Sequence, residues 1–169
     1  MKDEVIIEGA REGDLPRVLA VLEDAAAWLV SRGIDQWRPG AFHPGELLES
    51  IRRGELYIVR IHGVDAATII LQWSDPLFWP AENQDDAGYV HKLAVRREWA
   101  GRGIGSGLLD WAGERAAGRG RKFIRLDCMG TNPGLCRYYE RLGFVLRDRK
   151  AIGTWEAALY ERTIELPRC

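Results

Sequence analysis

The chain has little of what marks several whole classes of protein. Three cysteines, Cys128, Cys136 and Cys169, occur in 169 residues, with neither a CxxC pair nor a His/Cys cluster. An odd, scattered set of this kind argues against a disulfide scaffold or a zinc site, so no metal is expected and the thiols are read as reduced. No apolar run approaches the roughly 20 residues needed to cross a bilayer. The opening stretch, Met1-Lys2-Asp3-Glu4-Val5-Ile6, lacks the charged-then-apolar layout of a secretory signal. Together these absences point to a soluble, cytoplasmic chain with no membrane partner. Nor does one sign of charge dominate. Lys plus Arg is 24 against 25 Asp plus Glu, a net charge of −1, which gives no overall positive field to draw in nucleic acid. Lysine is scarce, 4 residues against 20 arginines, a compositional bias that by itself assigns the arginines no function. There is no internal repeat, low-complexity tract or linker, so residues 1–169 are read as one domain.

What is present is globular composition, 46% hydrophobic and 29% charged. Seven tryptophans are many for this length; Trp builds cores and also lines small-molecule pockets. Val5-Ile6-Ile7 opens a short strand. Asp14 is a candidate N-cap, with Pro16 in the first turn, for a helix to about Arg32 that carries Leu15, Val18, Leu22, Ala25 and Leu29 on one face and stops at Gly33. A second short helix is expected around Glu46 to Arg53. Strands over Leu56–Ile61 and Ala66–Trp73 flank a Gly-containing turn at 62–65. A long acidic loop spans 74–86. A strand from Gly88 to Arg96 runs into a glycine cluster and a helix to about Gly118. Lys122–Cys128 is a strand, Asn132–Leu142 a helix, and Phe144–Arg147 and Trp155–Ile164 close a mixed sheet. The order β-α-α-β-β-β-α-β-α-β-β predicts an α/β fold with helices on both faces of a mixed sheet.

The strongest chemical signal is Leu93-Ala94-Val95-Arg96-Arg97-Glu98-Trp99-Ala100-Gly101-Arg102-Gly103-Ile104-Gly105-Ser106. A strand enters a glycine-rich turn and then a helix, whose first N–H groups and positive dipole end suit an anion. Glycine lets the backbone approach a ligand closely, and Arg96, Arg97 and Arg102 add positive charge. No Gly-Lys-Ser/Thr ends the loop, so it is not a Walker loop. The third glycine of a dinucleotide fingerprint is also missing, with Ser106 or Leu108 in its place. A glycine-rich turn that only packs a helix on a sheet is the structural alternative.

The run resembles the acyl-CoA loop of the GNAT superfamily of N-acetyltransferases, Arg/Gln-x-x-Gly-x-Gly/Ala, over Ala100-Gly101-Arg102-Gly103-Ile104-Gly105, with Ala100 departing from the first position. Arg125-Leu126-Asp127, Asn132 and Tyr139-Glu140-Arg141-Leu142-Gly143-Phe144 are similar to the family's later motif. The likeness covers residues 88–146 by motif and residues 1–87 by architecture. It implies a single-domain GNAT-like fold that binds acetyl-CoA as co-substrate. Leu93, Ala94, Val95, Gly101, Arg102, Gly103, Ile104, Gly105 and Ser106 would hold it, and Asn132 would touch its pantetheine arm. Backbone N–H groups at the strand–loop junction would stabilise the oxyanion.

Seven residues of helix turn through about 700°, so Asn132 and Tyr139 share a face within about 20° while Tyr138 points elsewhere. The resemblance makes Tyr139 the general acid to the departing thiolate; otherwise Asn132 only caps the helix and Tyr139 only packs. Strand alternation puts Tyr89, His91, Leu93 and Val95 on one face, and His91 is a candidate base or proton-relay member. The resemblance places the acceptor near Gln36 and Trp37; the long loop, with Phe78 and Trp79, is read as the opposing wall or a lid, the alternative being that Trp37 and Trp79 only close the core. Asp85 and Asp86 are read as solvated carboxylates with a weaker attraction for a cationic amine. Cys128 is not expected to carry an acyl group, because no His/Asp pairing accompanies it. The reading is direct acetyl transfer to a primary amine of a small molecule, with a homodimer left open. A catalytically idle acyl-CoA sensor is the alternative on the same fold, and a nucleotide-binding protein that does not use CoA is a third.

Overall fold

The computed structural model describes residues 4–80 and 85–165; Cys169 and the far part of the 74–86 loop lie outside the described residues. The elements are β1 (Val5–Gly9), α1 (Leu15–Ser31), α2 (Pro44–Arg52), β2 (Leu56–Ile61), β3 (Val64–Gln72), β4 (Ala87–Val95), α3 (Ile104–Gly118), β5 (Phe123–Met129), α4 (Pro133–Arg141), β6 (Val145–Ile152) and β7 (Trp155–Thr163). Strand order is β1-β2-β3-β4-β5-β7-β6. The expected α/β order is the observed one. The chain divides into two compact units, Met1–Ile70 with Lys92–Gly105, and Leu71–His91 with Ser106–Cys169.

In the first unit α1 begins at Leu15 with Pro16 in its first turn. The Asp14 carboxylate does not cap the helix backbone: Oδ2 accepts the Arg11 N–H at 2.8 Å and Oδ1 accepts from Arg17 Nη1 at 2.8 Å. Gly33, at φ +67°, ends the helix in a conformation open to glycine. Val18, Val21 and Leu22 of α1 pack with Leu47 and Ile51 of α2, Leu56 and Ile58 of β2, Ile70 of β3 and Ala94 of β4. Full burial of each large aliphatic side chain contributes about 1.5–3 kcal/mol. The β2–β3 turn is tighter than the sequence suggests. Ile61 pairs with Val64, so His62 and Gly63 alone make the turn at φ +52° and +79°, the positive-φ pair that fits the strands' right-handed twist.

In the second unit the first part of β4 runs parallel to β5, with Ala87 opposite Phe123 and Val90 opposite Leu126. β5 pairs antiparallel with β7, and β7 with β6. Alternation along β5 sorts its side chains. Cys128 approaches Cys136 of α4, with Sγ atoms 3.8 Å apart. Gly88 leaves room on the same side, where an added Cβ would lie 3.1–3.4 Å from Leu71, Ile124 and Ala116 of α3. Phe123, Arg125 and Asp127 point the other way, toward the loop after β3. β6 is twice the expected length because pairing with β7 carries it through the polar Arg147–Lys150 stretch; it is an edge strand, and edge strands tolerate charge.

The surplus arginines also have a place. Guanidinium carbons lie 4.4 Å from the Trp28 ring centroid (Arg97), 4.2 Å from Trp73 (Arg119), 4.7 Å from Trp99 (Arg102) and 5.2 Å from Trp111 (Arg115). A planar guanidinium stacks on an aromatic face in a way that a lysine ammonium does not. Among the described residues no helix is long and apolar enough to cross a membrane.

Candidate active site

The glycine loop leaves β4 at Val95. The Arg96 N–H donates to the Ala66 carbonyl at 2.8 Å, one 3₁₀ turn covers Arg97–Trp99, and α3 starts at Ile104. Gly101 and Gly103 both sit at φ +75°, where a side chain is strained. The surface is open at Gly101, where no heavy atom beyond its chain neighbours lies within 4 Å of an added Cβ. Residues 100–103 are exposed and Ile104, Gly105 and Ser106 half-buried. Left-handed glycines just before a helix let backbone N–H groups gather around an anion. Arg102 keeps its guanidinium over Trp99, whereas Arg97 is tied to α1 through its N–H to Asp24 Oδ2 at 2.9 Å. Ala94 is buried in the core at 3% exposure, and Leu93 and Val95 are half-buried, so these three positions offer mainly backbone.

On α4, Asn132 is the N-cap and its Oδ1 accepts the Leu135 N–H at 3.2 Å. That is the capping role the sequence offered as the alternative to a ligand contact. Tyr139 is 8% exposed. Its ring meets those of Tyr138, Phe144 and Tyr160 at centroid distances of 5.4, 5.7 and 6.2 Å. Burial above all, then the neighbouring Cys128 thiol, pushes the Tyr139 phenol up, so it holds its proton at neutral pH. Burial, then Cys136, likewise pushes the Cys128 thiol up, the reverse of what a thiolate nucleophile needs.

His91 closes the first part of β4. The parallel register that sets Tyr89 beside Arg125 carries Asp127 alongside His91, and their Nδ1 and Oδ1 atoms are 3.4 Å apart. On the other side of the ring, Nε2 lies 2.9 Å from Oδ2 of Asp75, which is 7% exposed. Asp75 is itself fixed by a turn: Oδ1 accepts the Phe78 N–H at 3.2 Å and its carbonyl accepts the Trp79 N–H at 3.0 Å. The Phe78 ring sits 6.1 Å from His91 and 6.2 Å from Trp155. Ligand atoms of Asp75, His91 and Asp127 lie within 4.8 Å of one another, yet the two carboxylates face different ring nitrogens, a poor arrangement for chelating one ion.

One expectation is corrected. Trp79 does not line an acceptor wall: it is 1% exposed and packs on Ala87, Tyr89, Ala157 and Leu159. Phe78, one residue earlier, takes the place beside His91. The Asp85 side chain is 91% exposed, as expected of a solvated carboxylate, with Arg121 3.4 Å away, whereas Asp86 is partly covered and pairs with Arg125 at 2.9 Å. Trp37 is half-buried at the edge of the first unit's core, edge-on to Phe42 at 5.8 Å, with Lys92 Nζ 5.8 Å from its ring; the neighbouring Gln36 is half-buried and its N–H donates to the Ile34 carbonyl at 3.2 Å. His91, Asn132, Tyr139 and Trp79 belong to the second unit, and Gln36, Trp37, Leu93–Val95 and residues 101–105 to the first. Sequence reasoning did not find Asp75 and gave no role to Asp127, although Asp127 lies in the Arg125-Leu126-Asp127 motif. Pairing β4 with β5 would have found Asp127; nothing in the sequence marks Asp75.

Comparison with known proteins follows the same lines. The model of the acetyltransferase (GNAT) family matches residues 22–144. The chain belongs to that family. It is 29% identical over 149 residues to the uncharacterized N-acetyltransferase YesJ of Bacillus subtilis, covering 83% of this chain and 81% of that protein. A GNAT-family acetyltransferase from Listeria monocytogenes superposes with a TM-score of 0.80 at 25% identity, over 94% of each chain. The protein yncA of Salmonella typhimurium, solved with acetyl-CoA, shares the fold at a TM-score of 0.68 and 14% identity, over 98% of this chain and 97% of that one.

Proposed function

We propose that this chain is an acetyl-CoA-dependent N-acetyltransferase that moves the acetyl group directly to the primary amine of a small molecule. The observation that carries the reading is the open loop with two left-handed glycines at the start of α3, inside the stretch that matches the family. The Salmonella protein of the same fold was solved with acetyl-CoA, which supports the choice of ligand.

Acetyl-CoA would supply the activated acetyl thioester. Backbone N–H groups of Gly101–Ser106 would hold its pyrophosphate, with Arg102 adding charge. The backbone of Leu93, Ala94 and Val95 would orient the acyl arm, and N–H groups at the strand–loop junction would face the developing oxyanion. Asn132 would fix the start of α4 and thereby Tyr139, whose phenol, kept protonated by burial, would donate to the departing thiolate. His91 would take the proton from the amine. Gln36 and Trp37 would border the acceptor, and of the two loop aromatics Phe78 rather than Trp79 would contribute.

The test is CoA release across a panel of primary amines, run beside the thermal shift with acetyl-CoA, ATP and NAD. The reading expects a shift with acetyl-CoA alone and turnover with at least one amine. A shift with no turnover would make the chain an acyl-CoA sensor. A shift with ATP or NAD instead would remove the CoA assignment.

A further inference from the structure

Both nitrogens of His91 face carboxylates, but the two carboxylates are not equivalent. Asp75 Oδ2 is nearer, 2.9 Å from Nε2 against 3.4 Å from Nδ1 to Asp127 Oδ1, and its side chain is the more buried, 7% against 14% exposed. Asp75 is also the more rigid. Its other oxygen is taken by the Phe78 N–H and its carbonyl by the Trp79 N–H, and Trp79 is locked in the core. A carboxylate held in place accepts a proton donor and so selects which ring nitrogen stays protonated.

We propose that Asp75 is a positioning residue which keeps the proton on His91 Nε2, leaving Nδ1, on the Asp127 side, as the nitrogen that gains and loses a proton in catalysis. This deepens the proposed function and rests on it for the catalytic step. An acceptor arriving as an ammonium would give one proton to Nδ1. The amine nitrogen regains its lone pair, and the imidazole becomes an imidazolium flanked by Asp75 and Asp127, which offset its new charge. No other co-reactant is needed.

Among the described residues these groups lie around the ring or on the turn beside it, with Lys150 of β6 donating to the Leu77 carbonyl of that turn. The loop contributes Asp75 and the uncharged Phe78, and β5 contributes Asp127. One step along the same face lies Arg125, whose charge is already met by Asp86 at 2.9 Å and Glu161 at 2.8 Å and whose Nη1 donates to the Tyr89 hydroxyl at 3.0 Å. Trp155 of β7 brings no charge. Replacing the Asp75 carboxylate therefore changes the charge beside His91, while the Arg125 pairs with Asp86 and Glu161 stay in place. Asp75→Asn keeps an Oδ1 for the Phe78 N–H, so the turn survives.

The experiment uses the full ¹⁵N-labelled chain, which has three histidines, His43, His62 and His91, with His91 identified through His91→Gln. In a pH titration the proposal expects the Nδ1 resonance of His91 to move while Nε2 stays protonated, with a slowly exchanging Nε2–H signal. Asp75→Asn should remove that signal, and Asp75→Glu should restore it. With an amine that supports CoA release, Asp75→Asn should lower kcat/KM at neutral pH by roughly 10²-fold and move the acidic limb of the profile to lower pH, because a negative neighbour is gone; Asp75→Glu should recover part of both. Titration at Nε2, a spectrum unaffected by Asp75→Asn, or an unchanged pH profile in that variant overturns the proposal. If no amine releases CoA but the resonances behave as expected, the enzymatic reading fails and Asp75 still sets the tautomer.

Discussion

The Arg125 guanidinium lies 5.3 Å from the Trp79 ring centroid, and Arg125 is only 3% exposed. A buried cation is costly unless paired and hydrogen-bonded. Here Asp86 and Glu161 pair with it, the Tyr89 hydroxyl accepts from it, and the Trp79, Tyr89 and Phe123 rings enclose it. This assembly anchors the 75–79 turn and, through it, Asp75.

Trp79→Ala should therefore act as a core mutation. We expect a loss of about 3–5 kcal/mol in urea unfolding, with amine preference unchanged in whatever folded protein remains. Phe78→Ala, half-buried beside His91, should cost much less stability and raise the acceptor's KM about tenfold or more. Similar behaviour of the two variants would show that the loop acts as one packed unit.

Acetyl-CoA should raise the melting temperature, since a ligand that binds only the folded state stabilises it by mass action. Gly103→Ala places a Cβ on a residue at φ +75°, so the free protein should lose about 1–3 kcal/mol and most of the ligand-induced shift. A full shift in the variant would refute the assignment of the loop to the pyrophosphate.

Tyr139→Phe removes a phenolic proton and leaves the ring packing against Phe144 and Tyr160 in place. Turnover should fall by about 10²–10⁴-fold while the acetyl-CoA thermal shift stays near wild type. Tyr138→Phe is the control and should keep its turnover. Equal losses in both would remove Tyr139 from the chemistry.

The Arg17–Asp65 pair joins α1 to the β2–β3 hairpin through Nε–Oδ2 at 2.9 Å and Nη2–Oδ1 at 2.5 Å. The hydrogen bonds from Arg17, and to a lesser degree its charge, hold the Asp65 carboxyl below the usual carboxylate range, against the opposing pull of burial. A carboxylate whose folded pKa is depressed contributes stability above the unfolded value near 3.9, and that contribution is lost as pH falls through the folded value. Asp65→Asn should cost about 1 kcal/mol near pH 7. The gap to wild type should shrink as the pH drops below about 4, as read by urea midpoints at both ends.

The sequence by itself determined the order of elements, the helix of residues 15–31 and its inward residues Val18, Leu22 and Leu29, and the strand–glycine loop–helix run at 93–106. These are local signals: periodicity of apolar positions, caps, and glycines that only certain backbone angles require. It also placed Asn132 and Tyr139 at the two ends of one short helix. It missed the length of β6, because a polar edge strand is defined by its partner rather than by its own residues. It could not choose between Phe78 and Trp79, adjacent aromatics that the sequence treats alike; the fold packs Trp79 on Ala87, Tyr89, Ala157 and Leu159, with Arg125 beside its ring. Asp75 and Asp127 are separated by 52 positions in the chain, and only the parallel register of β4 with β5 and the turn at 75–79 bring them to opposite sides of one imidazole. Pairing across strands is a property of tertiary packing, so that part of the site was decided by the fold alone.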